Sequence, residues 1–315
     1  MSLTTVFLGT PEAAVPTLEA LLGSDHRVAA VATAPDRPRG RGMDLAASPV
    51  KQRALAAGLP VLQPASLRTP EAQAELAAAG ADVFVVCAYG LILPPVVLEE
   101  PRLGCVNVHF SLLPAFRGAA PVAGAILAGV PVSGVTIMQM DPGLDTGPIL
   151  DTVEEPIRPD DDTGSLQARL ALAGAGLLVS VLGRLEAGTI EARPQDGSQA
   201  SYAGKLTPED ARIDWAQPSA SIAGRVRAFS PRPGAWTTLD GRRLKVWRAR
   251  PGNGPLESAE PELEPGSFCS GPGGSLVVAT GDGSLVLEEV QPEGGRRMPG
   301  PDFLRGRRGA PGKLS

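Results

Sequence analysis

A chain of 315 residues is longer than one ordinary compact core, which predicts two domains, and 43% hydrophobic against 20% charged residues gives enough apolar material to fold them. The 38 glycines and 32 prolines are therefore read as many turns and not as disorder. Charge is unevenly divided: residues 204–315 hold 16 basic and 13 acidic residues against 13 and 21 before them, a pattern that suits a polyanionic partner for the second part and also fits ordinary solvated surface.

The first residues lack the basic region of a secretory signal, and their short apolar stretch runs straight into Gly9-Thr10-Pro11-Glu12. The longest apolar run, 83–98, is broken by Gly90, Pro94 and Pro95, so no membrane span is expected. Cys87, Cys105 and Cys269 are an odd, scattered set without a C-x-x-C pair, as expected of a reduced compartment. The expectation is a cytoplasmic protein.

In chain order, apolar runs at 3–8, 27–33, 60–62, 82–87 and 104–109 read as strands, alternating with Ala/Leu-rich amphipathic segments. That alternation predicts an α/β fold with a Rossmann-like, mostly parallel sheet. Thr10-Pro11, Ser48-Pro49 and Thr69-Pro70 each read as a helix start, a capping hydroxyl followed by a proline whose missing N–H costs nothing there. Such sheets bind ligands at the carboxyl ends of their strands. Residues 1–187 are expected to form this domain, 188–207 a weakly patterned linker, and 208–315 a second domain. In the latter, a helix at 218–228 precedes two Asp-Gly hairpin signatures, Asp240-Gly241 and Asp282-Gly283, which predict type I′ turns in a small OB-like β-barrel. The acidic, Pro/Gly-rich stretch 251–266 reads as a long loop.

The densest polar group is Asn107, His109, Ser111 and Arg117. Strand residues two apart share a face, so Asn107 and His109 are expected to project together at the end of their strand. An amide can donate to a developing oxyanion and an imidazole can move a proton, a pairing suited to acyl transfer; both residues could equally satisfy buried backbone groups. Glycines around Asp145 allow it to return to the same crevice and orient His109, although an Asx turn would use the same residues. Other chemistries lack their parts. Gly9-Thr10-Pro11-Glu12 is not G-x-G-x-x-G, there is no Walker sequence, His26 and His109 are the only histidines for a metal, and Ser111 lacks the G-x-S-x-G elbow.

The stretches Asn107-Val-His-Phe-Ser-Leu-Leu-Pro-Ala-Phe-Arg-Gly118 and Met140-Asp-Pro-Gly-Leu-Asp-Thr-Gly147 resemble the two signature blocks of the 10-formyltetrahydrofolate-dependent formyltransferases. The resemblance implies that Asn107, His109 and Asp145 are catalytic and that no metal is required. It implies a pocket for the reduced folate lined by Tyr89, Gly90, Leu91, Ile92, Leu93 and Pro94, by Ser111, Leu112, Leu113 and Pro114, and by Asp141, Gly143 and Leu144. Further similar segments, Gly9–Glu12, 34–42, Ser48–Lys51, 211–215, 227–229 and 245–247, point to the members that formylate the α-amine of charged methionyl initiator tRNA for translation initiation. On that resemblance Arg37, Arg39 and Arg41 belong to a loop that enters the acceptor stem, and Arg225, Arg227, Arg242, Arg243, Lys245 and Arg248 meet phosphates from the barrel. A monomer is expected. The rivals are the same chemistry on a small amine, such as glycinamide ribonucleotide or an amino-sugar nucleotide, and a folate- or tRNA-binding protein without turnover.

Overall fold

The computed structural model describes residues 2–39, 44–252 and 263–315. The chain divides into two units, one of Met1–Pro121, Val132–Pro156 and Gln167–Gly204, the other of Val122–Pro131, Ile157–Leu166 and Lys205–Ser315.

The elements through residue 186 are β1 (Thr4–Gly9), α1 (Val15–Leu22), β2 (Arg27–Ala32), β3 (Arg37–Arg39), β4 (Asp44–Ala46), α2 (Pro49–Ala56), β5 (Val61–Leu62), α3 (Pro70–Ala77), β6 (Val83–Cys87), α4 (Pro95–Leu98), β7 (Cys105–His109), α5 (Pro121–Ala128), β8 (Val132–Gln139), β9 (Ile149–Pro156) and α6 (Thr163–Glu186). The sheet runs β5-β2-β1-β6-β7-β8-β9. Its first five strands are parallel, and β8 and β9 add antiparallel pairs at one edge. Every residue of β6 is buried, as befits a strand covered on both faces. Strand order reverses between β1 and β6, so the crevice at their carboxyl ends is the switch point where such sheets take ligands.

Local chemistry explains most starts and stops. Ser48 and Thr69 cap α2 and α3, accepting from Lys51 N and Ala72 N at 3.0 and 3.4 Å. Thr10 does not cap a helix: α1 begins only at Val15, after a 3-10 turn, and the Thr10 hydroxyl donates to Tyr89 O (3.1 Å) and accepts from Ala34 N (3.3 Å). It ties together three loops at the switch point instead. The loop to which Arg37, Arg39 and Arg41 were assigned carries the two-stranded ribbon β3–β4. Helix α6 is the one described helix long and apolar enough to cross a membrane. An added Cβ at its Gly174 would lie 2.9 Å from Val135 and 3.0 Å from Val108, so the helix is pressed onto the sheet.

The second unit continues with α7 (Ser219–Ala228), β10 (Ala235–Leu239), β11 (Arg242–Pro251), β12 (Ser267–Ser270), β13 (Leu276–Thr280), β14 (Gly283–Pro292), β15 (Met298–Pro299), α8 (Gly300–Gly306) and β16 (Gly312–Lys313). Its antiparallel sheet runs β10-β11-β14-β13-β12-β16. Reciprocal bonds between Thr238 and Ser315, 2.8 and 3.0 Å, draw the two ends of this order together into a curled half-barrel. Leu244, Val246, Leu285 and Leu287 fill its inner face with Phe229 of the segment after α7, each contributing about 1.5 to 3 kcal/mol by burial. The Asp240-Gly241 turn has φ of 50° and 75°, as type I′ requires. The second hairpin differs: Thr280 pairs with Gly283, so its turn residues are Gly281-Asp282, and neither has the positive φ of a type I′ turn. Asp282 turns its carboxylate to Ser219 N (2.7 Å), capping α7, whose N-cap Pro218 has no side-chain acceptor.

Candidate active site

Asn107 and His109 end β7, flanked by β6 and β8. His109 is 6% exposed. Its Nε2–H donates to Phe116 O at 3.2 Å, since a carbonyl can only accept, which leaves Nδ1 turned toward Asp145 Oδ2 at 3.8 Å. Burial holds the imidazole pKa below its ordinary 6.5, and the Asp145 carboxylate and the Phe116 carbonyl offset part of that. Asn107 is half-buried, and its amide has no hydrogen-bond partner among the described residues. It is a free donor beside a neutral imidazole.

The loop after β7 is held from below. Ser111 Oγ donates to Ala115 O (2.6 Å), and Thr136 Oγ1 accepts from Leu113 N (2.9 Å) and donates to Ser111 O (2.7 Å). Ser111, fully buried, is therefore occupied in shaping 111–115; Leu112, Leu113 and Pro114 lie within the same turn. Asp145 stands opposite, with φ of +53°, and its Oδ2 accepts from Gly118 N at 2.8 Å. Asp141 organises the start of that loop: it accepts from Thr146 Oγ1 at 2.7 and 2.9 Å and from Gly143 N at 3.1 Å.

One contributor was not readable as a site residue. Gln195 Nε2 donates to Asp145 O (2.9 Å) and Gly147 O (2.7 Å), while its Oε1 accepts from Arg117 Nε (3.1 Å) and Nη2 (2.6 Å). The stretch around it, read as linker, pairs Arg193 with Ile149 and Tyr202 with Arg117.

The segment Tyr89–Pro94 follows β6. Tyr89 is buried, its hydroxyl unpartnered and its pKa pushed up to about 12 by burial, and Gly90 turns the chain with φ of +88°. Leu91, Leu93 and Met140 pack in one cluster, which joins this segment to the Asp141–Leu144 loop. Ile92 and Leu144 are 75% and 61% exposed. A cavity of about 440 Å³ at the switch point is lined by Thr10, Ala34, Arg37, Ala47, Tyr89 and Leu91 among others. It adjoins the strand that precedes β7 in the sheet and does not include Asn107, His109 or Asp145. Burial raises the Cys87 and Cys105 thiols to about 12, which leaves them inert as nucleophiles.

The basic residues fall into different settings. Arg37 is exposed at the cavity; Arg39 lies in β3; Arg41 lies outside the described residues. On the half-barrel, Arg243 stacks on Trp236 (4.0 Å) and Arg297 on Trp247 (3.6 Å), with Lys245 5.2 Å from the Trp247 ring. Arg242 is exposed. Arg225 donates to Asp210 O, and Arg227, half-buried, donates to Asp161 O at 3.1 Å. Arg248 pairs with Glu288 at 3.7 Å. Arg297 was not singled out in the sequence, where it is one of a bare Arg-Arg pair in a loop.

A strand-borne His stands against a loop Asp on a doubly wound sheet, and the formyl transferase family model matches residues 3–182 and its C-terminal domain model residues 205–308. A methionyl-tRNA formyltransferase of Thiobacillus denitrificans is 52% identical over 302 residues, covering 96% of each chain. The chain belongs to the methionyl-tRNA formyltransferase family. Among solved structures, the methionyl-tRNA formyltransferase from Clostridium thermocellum has TM-score 0.56 at 15% identity, covering 80% of this chain and 95% of that one. HypX from Aquifex aeolicus with tetrahydrofolic acid has TM-score 0.64 at 17% identity, covering 96% of this chain, which spans 47% of that one. Both likenesses are of fold.

Proposed function

We propose that this enzyme transfers the formyl group of 10-formyltetrahydrofolate to the α-amine of methionyl initiator tRNA, in the cytoplasm, as a monomer and without a metal, with its half-barrel an OB-type tRNA-contacting domain and its domain limits at 1–187 and 208–315. The observation that carries this reading is the 52% identity to such an enzyme over nearly the full length, combined with the approach of His109 to Asp145 next to Asn107 on the same strand. The exposed apolar side chains of Ile92 and Leu144, beside Tyr89–Pro94, Ser111–Pro114, Asp141 and Gly143, fit the face of a reduced folate. When bound, that cosubstrate supplies the formyl carbon.

The chain's own residues then divide the work. The methionyl amine attacks the formyl carbon as the bond to N10 breaks, and the free Asn107 amide donates to the developing oxyanion. The proton lost by the amine goes to the His109–Asp145 pair and is returned to the leaving nitrogen. His109 suits this because it rests neutral with Nδ1 open toward Asp145, and a proton on Nδ1 is stabilised by that carboxylate. Arg37, Arg39, Arg41 and the half-barrel residues Arg242, Arg243 and Lys245 supply cationic surface for tRNA, while Arg225, Arg227 and Arg248, expected to join them, are engaged by Asp210 O, Asp161 O and Glu288 within their own unit. Incubation with labelled 10-formyltetrahydrofolate and charged initiator tRNA should move label to the aminoacyl end. Transfer to an amino-sugar nucleotide or glycinamide ribonucleotide in place of tRNA would overturn the reading.

A further inference from the structure

Residues 191–199 are exposed except for Gln195. That one side chain is drawn inward and spends its whole amide. Both carbonyls it reaches, Asp145 O and Gly147 O, flank the sharpest part of the catalytic loop. Asp145 sits there in the left-handed region, a conformation that a non-glycine residue keeps only when its surroundings over-determine it. Two bonds from one amide to alternate carbonyls provide that determination for the main chain, while Gly118 N fixes the carboxylate.

Behind Gln195 stands Arg117, 5% exposed, with no carboxylate within ion-pair distance among the described residues. A buried guanidinium ordinarily demands an anion. Here both of its bonds to Gln195 end on Oε1, so the cation fixes which way the amide points and polarises its N–H groups toward the two carbonyls. Arg117 is itself anchored by its main chain, donating to Ser201 O (2.8 Å) and accepting from Ala203 N (2.7 Å).

We infer that Gln195 is a positioning residue for formyl transfer, its amide oriented by Arg117 and holding Asp145 against His109. The inference rests on the reading above that Asp145 serves the chemistry. It assigns the weakly patterned stretch after α6 a part in the active site that its composition does not announce.

The test uses the full-length enzyme with Gln195→Met, which keeps the shape and removes the polar atoms, and Gln195→Glu, which keeps an acceptor for Arg117 and removes both donors. Each should lower kcat by about 10²-fold, the cost of a roughly 1 Å misplacement, with KM for folate and tRNA unchanged. Wild-type kcat in Gln195→Glu would overturn the proposal, because donation to the carbonyls would then be dispensable. A second readout is the titration of His109 by nuclear magnetic resonance, made simple because the chain has only 2 histidines. In Gln195→Met the His109 pKa should fall further, as the carboxylate that supports the imidazolium moves off. Asp145→Asn should lower it too, and the double variant should add nothing. An unmoved His109 titration in folded Gln195→Met overturns the proposal; should that variant not fold, the kcat of Gln195→Glu decides. If the wild-type protein transferred no formyl group to tRNA, the functional reading would fail, and the His109 titration would still decide whether Gln195 holds Asp145.

Discussion

His109 Nδ1 and Asp145 Oδ2 stand 3.8 Å apart, and the same Oδ2 is tethered to Gly118 N at 2.8 Å. The distance is beyond a hydrogen bond, and the bond from Gly118 N holds the carboxylate where it is. In the proposed mechanism this pair receives the proton that the amine loses.

Replacing His109 or Asp145 by alanine should therefore lower kcat by about 10²- to 10⁴-fold, as for loss of a general acid–base group, and Asn107→Ala by about 10²- to 10³-fold, as for an oxyanion donor. The double variant His109→Ala, Asp145→Ala should be little worse than the poorer single, since the groups act as a unit. Single-turnover formyl transfer measures this. A folded His109→Ala enzyme keeping more than about a tenth of the rate would make His109 structural.

Burial gives His109 a second, measurable consequence. Its folded-state pKa is below the ordinary 6.5, so between the two values the unfolded chain binds more protons than the folded one and stability rises with pH. The contribution is fully present above pH 6.5 and is lost as pH falls through the lowered folded value. Urea midpoints should drop as pH falls below about 6.5, and His109→Gln should flatten that slope. Carboxylates such as Asp82, held below 3.8 by Thr4 N–H and Arg102, titrate in a more acid window.

How far the sequence carried these conclusions depended on how local each signal was. Strands β1, β2 and β6 were legible because they are mostly buried and their apolar runs are nearly continuous. Asn107 and His109 followed from strand periodicity. Strand β9 was not legible, since Asp151, Glu154 and Glu155 interrupt its apolar pattern. Thr10-Pro11 carries the same letters as the two true caps, but its hydroxyl is claimed by Tyr89 O, a contact 79 residues away. Gln195 escaped for the same reason: its partners are main-chain carbonyls 48 and 50 residues distant, and a side chain seeking a carbonyl leaves no pattern in composition.

Gly118 tests the backbone side of the site. With φ of +111° and a Cβ that would lie 2.8 Å from Ala203 O, Gly118→Ala should cost about 1 to 3 kcal/mol and displace the N–H that holds Asp145. Gly129→Ala, at φ of +66° with nothing within 4 Å, carries backbone strain alone. Both should lower the urea midpoint, and only Gly118→Ala should also lower kcat. Equal kcat in the two variants would separate Asp145 from its tether.

The half-barrel's cations should differ in what they give to tRNA. Counterion release makes log affinity fall with log salt by about 0.7 to 0.9 per phosphate neutralised, so each cation that meets a phosphate is visible in the slope. Arg243 and Arg297 lie flat on Trp236 and Trp247, an arrangement that orients the guanidinium without an acid to neutralise it. Neither has an ion-pair partner among the described residues, and Lys245 between them has its pKa lowered by burial and by these two neighbouring charges. Arg248 instead shares Glu288 with Arg250, which lies 3.2 Å from the same side chain. Arg227 is spent on Asp161 O inside its own unit. Arg243→Ala and Arg297→Ala should each weaken tRNA binding and reduce the salt slope by about one phosphate's worth, whereas Arg248→Ala should leave the slope nearly unchanged. Arg227→Ala should lower the unfolding midpoint more than the slope, because it removes a half-buried donor from a main-chain carbonyl. Filter binding of charged tRNA across a salt series, with thermal unfolding of each variant, measures all four. A slope unchanged in both Arg243→Ala and Arg297→Ala would mean that the Trp-stacked arginines face solvent and that tRNA is held elsewhere.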